Sequence, residues 1–165
     1  MTQHIAVIGG GQNAEHDVSL STAAALREAL RALGHSTSAI TIDREGTWCY
    51  ERTPLGTSAA SSLARALSIV ELADVVFPAV HGPLGEDGTL AALCALAHTP
   101  VVGSGLRAAA IGMDKWATKL VAEAVGIATA PGRLVGAATI EEIGFDSEVV
   151  VKPVSAGSSA TGIWN

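Results

Sequence analysis

The 165-residue sequence predicts an α/β protein with a doubly wound parallel sheet. Two short apolar runs, Ile5-Ala-Val-Ile8 and Asp74-Val-Val-Phe-Pro-Ala-Val80, each lead into a glycine-rich loop, as buried parallel strands do. Between them the pattern changes to helical spacing, giving a β-α-β-β-α-β order. Composition agrees: 48 % hydrophobic residues, 18 glycines and only 4 % aromatics suit an Ala/Val/Leu-rich core and are too apolar for disorder.

The elements follow in order. After the first strand and Gly9-Gly-Gly11, a helix is expected near Asp17 or Ser19, either of which can cap it. Ala23, Leu26, Leu30 and Leu33 recur at helical spacing, and Gly34 stops the helix. Residues 36–42 read as a second strand, 43–46 as a turn and 47–50 as a hairpin partner. Residues 54–62 read as a loop and 63–72 as a short helix. Residues 74–80 form the next strand, in which Pro78 needs a place where its missing N–H does no harm. A loop over 81–88, a helix over 89–97 and a strand over 100–103 complete the sheet. Composition shifts near Gly112. Beyond it, Trp116, Leu120, Val121, Ala124 and Val125 predict a helix with one apolar face, ended by Gly126. Residues 131–135 read as a short strand, 140–143 as a helical turn, 148–153 as a strand and 163–165 as the start of another. The expected domains are 1–112 and 113–165.

Function classes narrow next. The formal net charge is −6, with no Lys/Arg cluster, so nucleic acid and anionic membranes are not expected partners. Two cysteines leave one disulfide open but supply no framework and no metal-ligand spacing. The start lacks a signal-peptide pattern, and no apolar run approaches the ~20 residues of a membrane span. A soluble cytoplasmic protein is the expectation.

Four segments look site-like. Gly9-Gly-Gly-Gln-Asn-Ala14 fits the dinucleotide fingerprint G-x-G-x-x-A. However, Glu15 and Asp17 would put carboxylates where a pyrophosphate should sit, and Asp43 comes late for a ribose-binding acid. Either Glu15 holds an ammonium by a charge-assisted hydrogen bond, or it only complements the helix dipole. In His81-Gly-Pro-Leu-Gly-Glu-Asp-Gly88, His81 stands at a strand tip where it could bind or titrate, while Glu86 and Asp87 suit capping of the next helix. Lys115, at the first turn of a helix, reads either as solvated or as functional. Lys152 ends an apolar strand and is followed by Gly157-Ser-Ser159, a small-residue loop able to wrap phosphate oxygens. The alternative there is a plain hairpin turn with Lys152 in solvent.

Taken in order, these segments resemble the D-alanine–D-alanine ligase family of the ATP-grasp superfamily. The likeness rests on Gly9-Gly-Gly-Gln-Asn-Ala-Glu-His-Asp-Val-Ser-Leu20, His81-Gly-Pro-Leu-Gly-Glu-Asp-Gly88, Gly103-Ser-Gly105 with Met113-Asp-Lys115, and Val151-Lys-Pro153 with Gly157-Ser-Ser159. The His-Gly-x-x-Gly-Glu-Asp-Gly run is the most specific. The resemblance implies a substrate-binding pre-ATP-grasp domain over 1–112 and the incomplete first part of an ATP-grasp domain over 113–165. It implies condensation of two D-alanines with ATP and Mg²⁺ through a D-alanyl phosphate, for peptidoglycan synthesis, by a cytoplasmic homodimer. Glu15 would hold the ammonium of the first D-alanine, with His81 beside the same substrate. Ser158 would join Glu15 in a catalytic network. Lys115 and Lys152 would contact ATP phosphates, and Gly157, Ser158 and Ser159 would close over the nucleotide.

Two departures qualify the match. Gly157-Ser-Ser-Ala-Thr-Gly162 carries one residue more than the family loop, and the family's Mg²⁺ ligands and oxyanion-stabilising Arg have no counterpart before Asn165. The 165-residue chain alone is therefore expected to lack ligase activity, as a truncated piece of the enzyme. Other readings are a short non-catalytic paralogue acting as a binding or assembly module, a D-Ala–D-Ser or D-Ala–D-lactate ligase, and a nicotinamide-dependent oxidoreductase.

Overall fold

The computed structural model describes residues 1–136, 139 and 149–155. The chain divides into two compact units, Met1–Ala110 and Ile111–Asn165.

The first unit is built on five strands: β1 (His4–Gly10), β2 (Ser36–Ile42), β3 (Trp48–Tyr50), β4 (Thr53–Pro54) and β5 (Val75–Pro78), in the sheet order β4-β3-β2-β1-β5. β1 lies at the centre, parallel to both β2 and β5; β3 and β4 add an antiparallel edge. Helix α1 (His16–Ala32) crosses from β1 to β2, α2 (Ala59–Val70) precedes β5, and α3 (Thr89–Leu96) follows it.

Alternation along β1 shows why its apolar run is unbroken. Ile5 and Val7 pack with Ala23, Leu26 and Leu30 of α1. Ala6 and Ile8 pack on the opposite face with Ile40, Trp48, Ala66 and Val70 of α2, and Leu90 and Cys94 of α3. Helices thus cover both faces, the arrangement expected of a doubly wound sheet.

Several boundaries differ from the sequence expectation. Gly9 and Gly10 belong to β1, not to the loop. Neither Asp17 nor Ser19 caps α1. The helix begins one residue before Asp17, with Glu15 at the cap position, and Ser19 is fully buried and bonded elsewhere. Leu33, placed by spacing on the apolar face, is 75 % exposed, because α1 ends at Ala32 and the chain turns at Gly34. The expected loop over 54–62 holds the end of β4 and the start of α2. That helix begins at Ala59 because Ser58 and Ser61 form a reciprocal capping box, which apolar spacing does not reveal. The expected strand at 100–103 is reduced to one parallel bridge, Val101 to Val76.

The chain continues into α4 (Leu106–Met113), which sequence patterning did not mark, and α5 (Lys115–Ala124). Asp114 caps α5, its Oδ1 accepting from the N–H groups of Trp116 (2.9 Å) and Ala117 (2.7 Å). The apolar face read on this helix does not form a core among the described residues: Leu120, Val121 and Val125 are exposed. The expected strand at 131–135 is absent, and 149–155 carries only a bridge at Val151. The expected helical turn at 140–143 and the strand start at 163–165 lie outside the described residues.

Candidate functional site

The topology brings two loops together. β1 and β5 are parallel neighbours, so their carboxyl ends lie side by side. The chain leaves β1 for α1 on one face and leaves β5 for α3 on the other. Such a reversal is a topological switch point, where loops part and leave a crevice. Residues 11–15 emerge from β1 at this point and residues 79–88 from β5.

Ser19 anchors both loops from beneath. Its buried hydroxyl accepts from the Gly10 N–H (2.8 Å) and donates to the Ala79 carbonyl (2.6 Å), joining the ends of β1 and β5. Buried His16, through Nδ1, meets the Gly11 carbonyl at 2.7 Å and steadies the first loop. Asn13 spans the gap: Oδ1 accepts from the Glu15 N–H (2.8 Å), while Nδ2 donates to the carbonyls of His81 (2.9 Å) and Pro83 (3.4 Å).

Glu15 and His81 thus come from sequence positions 66 apart to adjoining places. The Glu15 carboxylate lies over Gly82: a Cβ built there would stand 2.6 Å from Oε2. His81 Nε2 lies 3.0 Å from the Thr22 hydroxyl on α1, and Nδ1 lies 3.4 Å from Glu86 Oε1. A carboxylate only accepts, so Nδ1 carries the proton, and Thr22 donates to Nε2 when the imidazole is neutral. Glu86 therefore faces His81 and does not cap α3 as its position suggested. Asp87 does not occupy the cap position either, which Gly88 holds, but it stands just before it and braces the start of α3. Its carboxylate accepts from the N–H groups of Leu84 (2.9 Å) and Thr89 (2.9 Å). Burial works to raise the Asp87 carboxyl, but these main-chain donors and the Thr89 hydroxyl outweigh it and hold the group below its ordinary range.

In the second unit, the Lys115 N–H donates to the Val154 carbonyl (2.9 Å). Two segments 39 positions apart are thereby joined, placing the start of α5 two residues from Lys152, whose side chain is exposed. Gly157, Ser158 and Ser159 lie outside the described residues. Among the described residues no group of three or more His, Cys, Asp or Glu side chains could hold a metal ion. No described helix is long and apolar enough to cross a membrane. Cys49 and Cys94 are both free and buried, which settles the disulfide left open by the count.

Sequence reasoning missed Asn13, Thr22 and Ser19 as parts of this site. Asn13 was legible only as a fingerprint position and Thr22 as a small helical residue; nothing local marks either as facing a loop some 60 residues away.

The fold and its loops define a doubly wound α/β domain with an acid and an imidazole at the switch point. Residues 4–104 match the family described as D-ala D-ala ligase N-terminus, and the chain belongs to that family. It is 35 % identical to D-alanine–D-alanine ligase A of Pseudomonas putida, over 94 % of this chain and 50 % of that one. Among solved structures, it superposes on the D-alanine–D-alanine ligase of Coxiella burnetii with a TM-score of 0.73 and 30 % identity, over 96 % of this chain and 53 % of that chain. The VanG D-Ala:D-Ser ligase of Enterococcus faecalis gives a TM-score of 0.73 at 28 % identity, over 96 % and 54 %. The chain spans about half the length of the curated relatives it matches.

Proposed function

We propose that this chain is the N-terminal half of an ATP-dependent D-alanine–D-alanine ligase, acting in peptidoglycan precursor synthesis. Its first unit recognises the first D-alanine; its second contributes to gripping ATP. The observation that carries the reading is the Glu15 carboxylate lying over Gly82, beside His81, at the switch point. A carboxylate there suits an ammonium group, and the imidazole beside it suits the rest of a small amino acid. The similarity to ligases supports the same reading.

The chemistry proceeds in two steps. A carboxylate oxygen of the first D-alanine attacks the γ-phosphorus of ATP; a P–O bond forms, the bond to ADP breaks, and ADP leaves. The amine of the second D-alanine then attacks the carbonyl of this D-alanyl phosphate, phosphate departs, and a proton leaves the nitrogen. Glu15 fixes the first D-alanine by its ammonium. His81, held by Thr22 and Glu86, orients it. Lys115 and Lys152 neutralise phosphate charge, and Gly157, Ser158 and Ser159, which lie outside the described residues, belong to the same proposed phosphate-binding segment. Positioning and charge neutralisation are what phosphoryl transfer chiefly requires, and exclusion of water protects the acyl phosphate.

The test is an NMR titration of the chain with D-alanine, using L-alanine as the control. The expected result is that D-alanine shifts the signals of 13–15 and 81–86, that L-alanine binds more weakly, and that Glu15→Gln abolishes the response. Equal binding of the enantiomers, or full binding by Glu15→Gln, would overturn the reading. The 165-residue chain, which spans about half the length of the relatives it matches, is expected by itself to release no phosphate from ATP with D-alanine. Release that disappears in Lys152→Ala would refute that expectation.

A further inference from the structure

The contacts around Asn13 point beyond the residues that touch substrate. We infer that Asn13 is a positioning residue: its side-chain amide is the clamp that sets the spacing between Glu15 and the His81 loop. The inference rests on the D-alanine reading of that site.

The amide uses both of its ends. Oδ1 holds the Glu15 N–H at 2.8 Å, in an Asx-type contact that fixes where the chain enters α1. Nδ2 holds the His81 carbonyl at 2.9 Å and reaches the Pro83 carbonyl at 3.4 Å. No other residue type of this size offers one acceptor and two donors on a single planar group. An aspartate would keep the Glu15 contact and turn an oxygen toward two carbonyls. An alanine would lose both contacts. Ser19 ties the strand ends below, but its bonds reach Gly10 and Ala79, not the loop tips. The tips carry Glu15 and His81, and the Asn13 side chain bonds to the main chain of both. The Glu15 carboxylate lies over Gly82, the residue next to the carbonyl that Asn13 holds, so a release of that carbonyl moves the floor beneath the carboxylate.

Asn13→Asp separates the two halves of the clamp. It is expected to keep the Glu15 amide protected from hydrogen exchange while the amides of 82–86 exchange faster. The His81 ring signals should move, and D-alanine affinity should fall about three- to tenfold, the worth of one hydrogen bond. Asn13→Ala should lose protection at Glu15 as well. Ser61→Ala, which breaks the distant capping box of α2, serves as a control of comparable instability and should leave ring signals and D-alanine affinity unchanged. If wild type binds D-alanine and Glu15→Gln does not, yet Asn13→Asp binds like Ser61→Ala, the clamp is refuted and the site stands. If wild type fails to bind, or Glu15→Gln binds equally, the D-alanine reading fails. The clamp is then judged by exchange alone: unchanged protection at 82–86 in Asn13→Asp overturns it, and lost protection upholds it.

Discussion

Replacing Gly82 by alanine separates the cost of backbone strain from the cost of moving Glu15. Gly82 has φ +70°, a left-handed conformation that costs an L-residue about 1–2 kcal/mol. Gly34 supplies the matched case: its φ is +86°, and an added Cβ there meets nothing within 4 Å. Gly34→Ala should therefore show the backbone cost alone, a loss of about 1–2 kcal/mol, or roughly 4–8 °C in Tm per kcal/mol for a unit of this size. At Gly82 the new Cβ would lie 2.6 Å from Glu15 Oε2, the far end of a flexible side chain. The carboxylate can swing away without disturbing the backbone, so the stability loss should be similar. The retreat to ordinary contact at 3.4 Å is roughly 0.8 Å. A hydrogen bond stretched by that much is no longer one. A lost charge-assisted bond is worth about 1.5–3 kcal/mol, or roughly 10- to 150-fold in affinity. Circular dichroism melts and D-alanine titrations of both variants read the two effects. Gly82→Ala should melt like Gly34→Ala and bind far more weakly. Equal D-alanine affinity in the two variants would refute the placement of the ammonium at Glu15.

Two further outcomes follow from the loops. Ser19→Ala strands the buried Gly10 N–H and Ala79 carbonyl, and should destabilise the first unit by about 2–3 kcal/mol in denaturant titration, whereas exposed Ser21→Ala should be neutral. Asp87 and Glu51 both have carboxyls held below their ordinary values of 3.8 and 4.5. For Glu51, burial opposes the shift, and the Ala39 N–H and the Arg27 guanidinium outweigh it. Because both values are lowered on folding, the stability they contribute is fully present above the ordinary values and is lost as pH falls through the folded ones. Melting of the first unit should thus decline below about pH 4–5. Asp87→Asn should be less stable near neutrality and less sensitive to acid; an unchanged acid profile would refute the role of Asp87.

The sequence by itself determined the parallel strands β1 and β5, because apolar runs leading into glycine-rich loops suit strands buried on both faces, and it also marked β2 over 36–42. It determined the turn at Gly34 and the identity of the two loops, because glycine and short polar residues gather where a chain must turn tightly. It also marked Glu15 and His81 through the resemblance of their surrounding motifs. It did not yield the start of α2, because a Ser-to-Ser capping box leaves no apolar signature. Nor did it yield the exposure of Leu120, Val121 and Val125, since amphipathic spacing shows that a face exists but not what covers it. Only the tertiary structure decided that Glu15 and His81 adjoin. Their meeting depends on β1 and β5 lying as parallel neighbours with helices leaving on opposite faces, a long-range pairing that no local pattern encodes. The same pairing gives Ser19, Thr22 and Asn13 their partners, since a hydrogen bond to a residue some 60 positions away exists only once the sheet has formed.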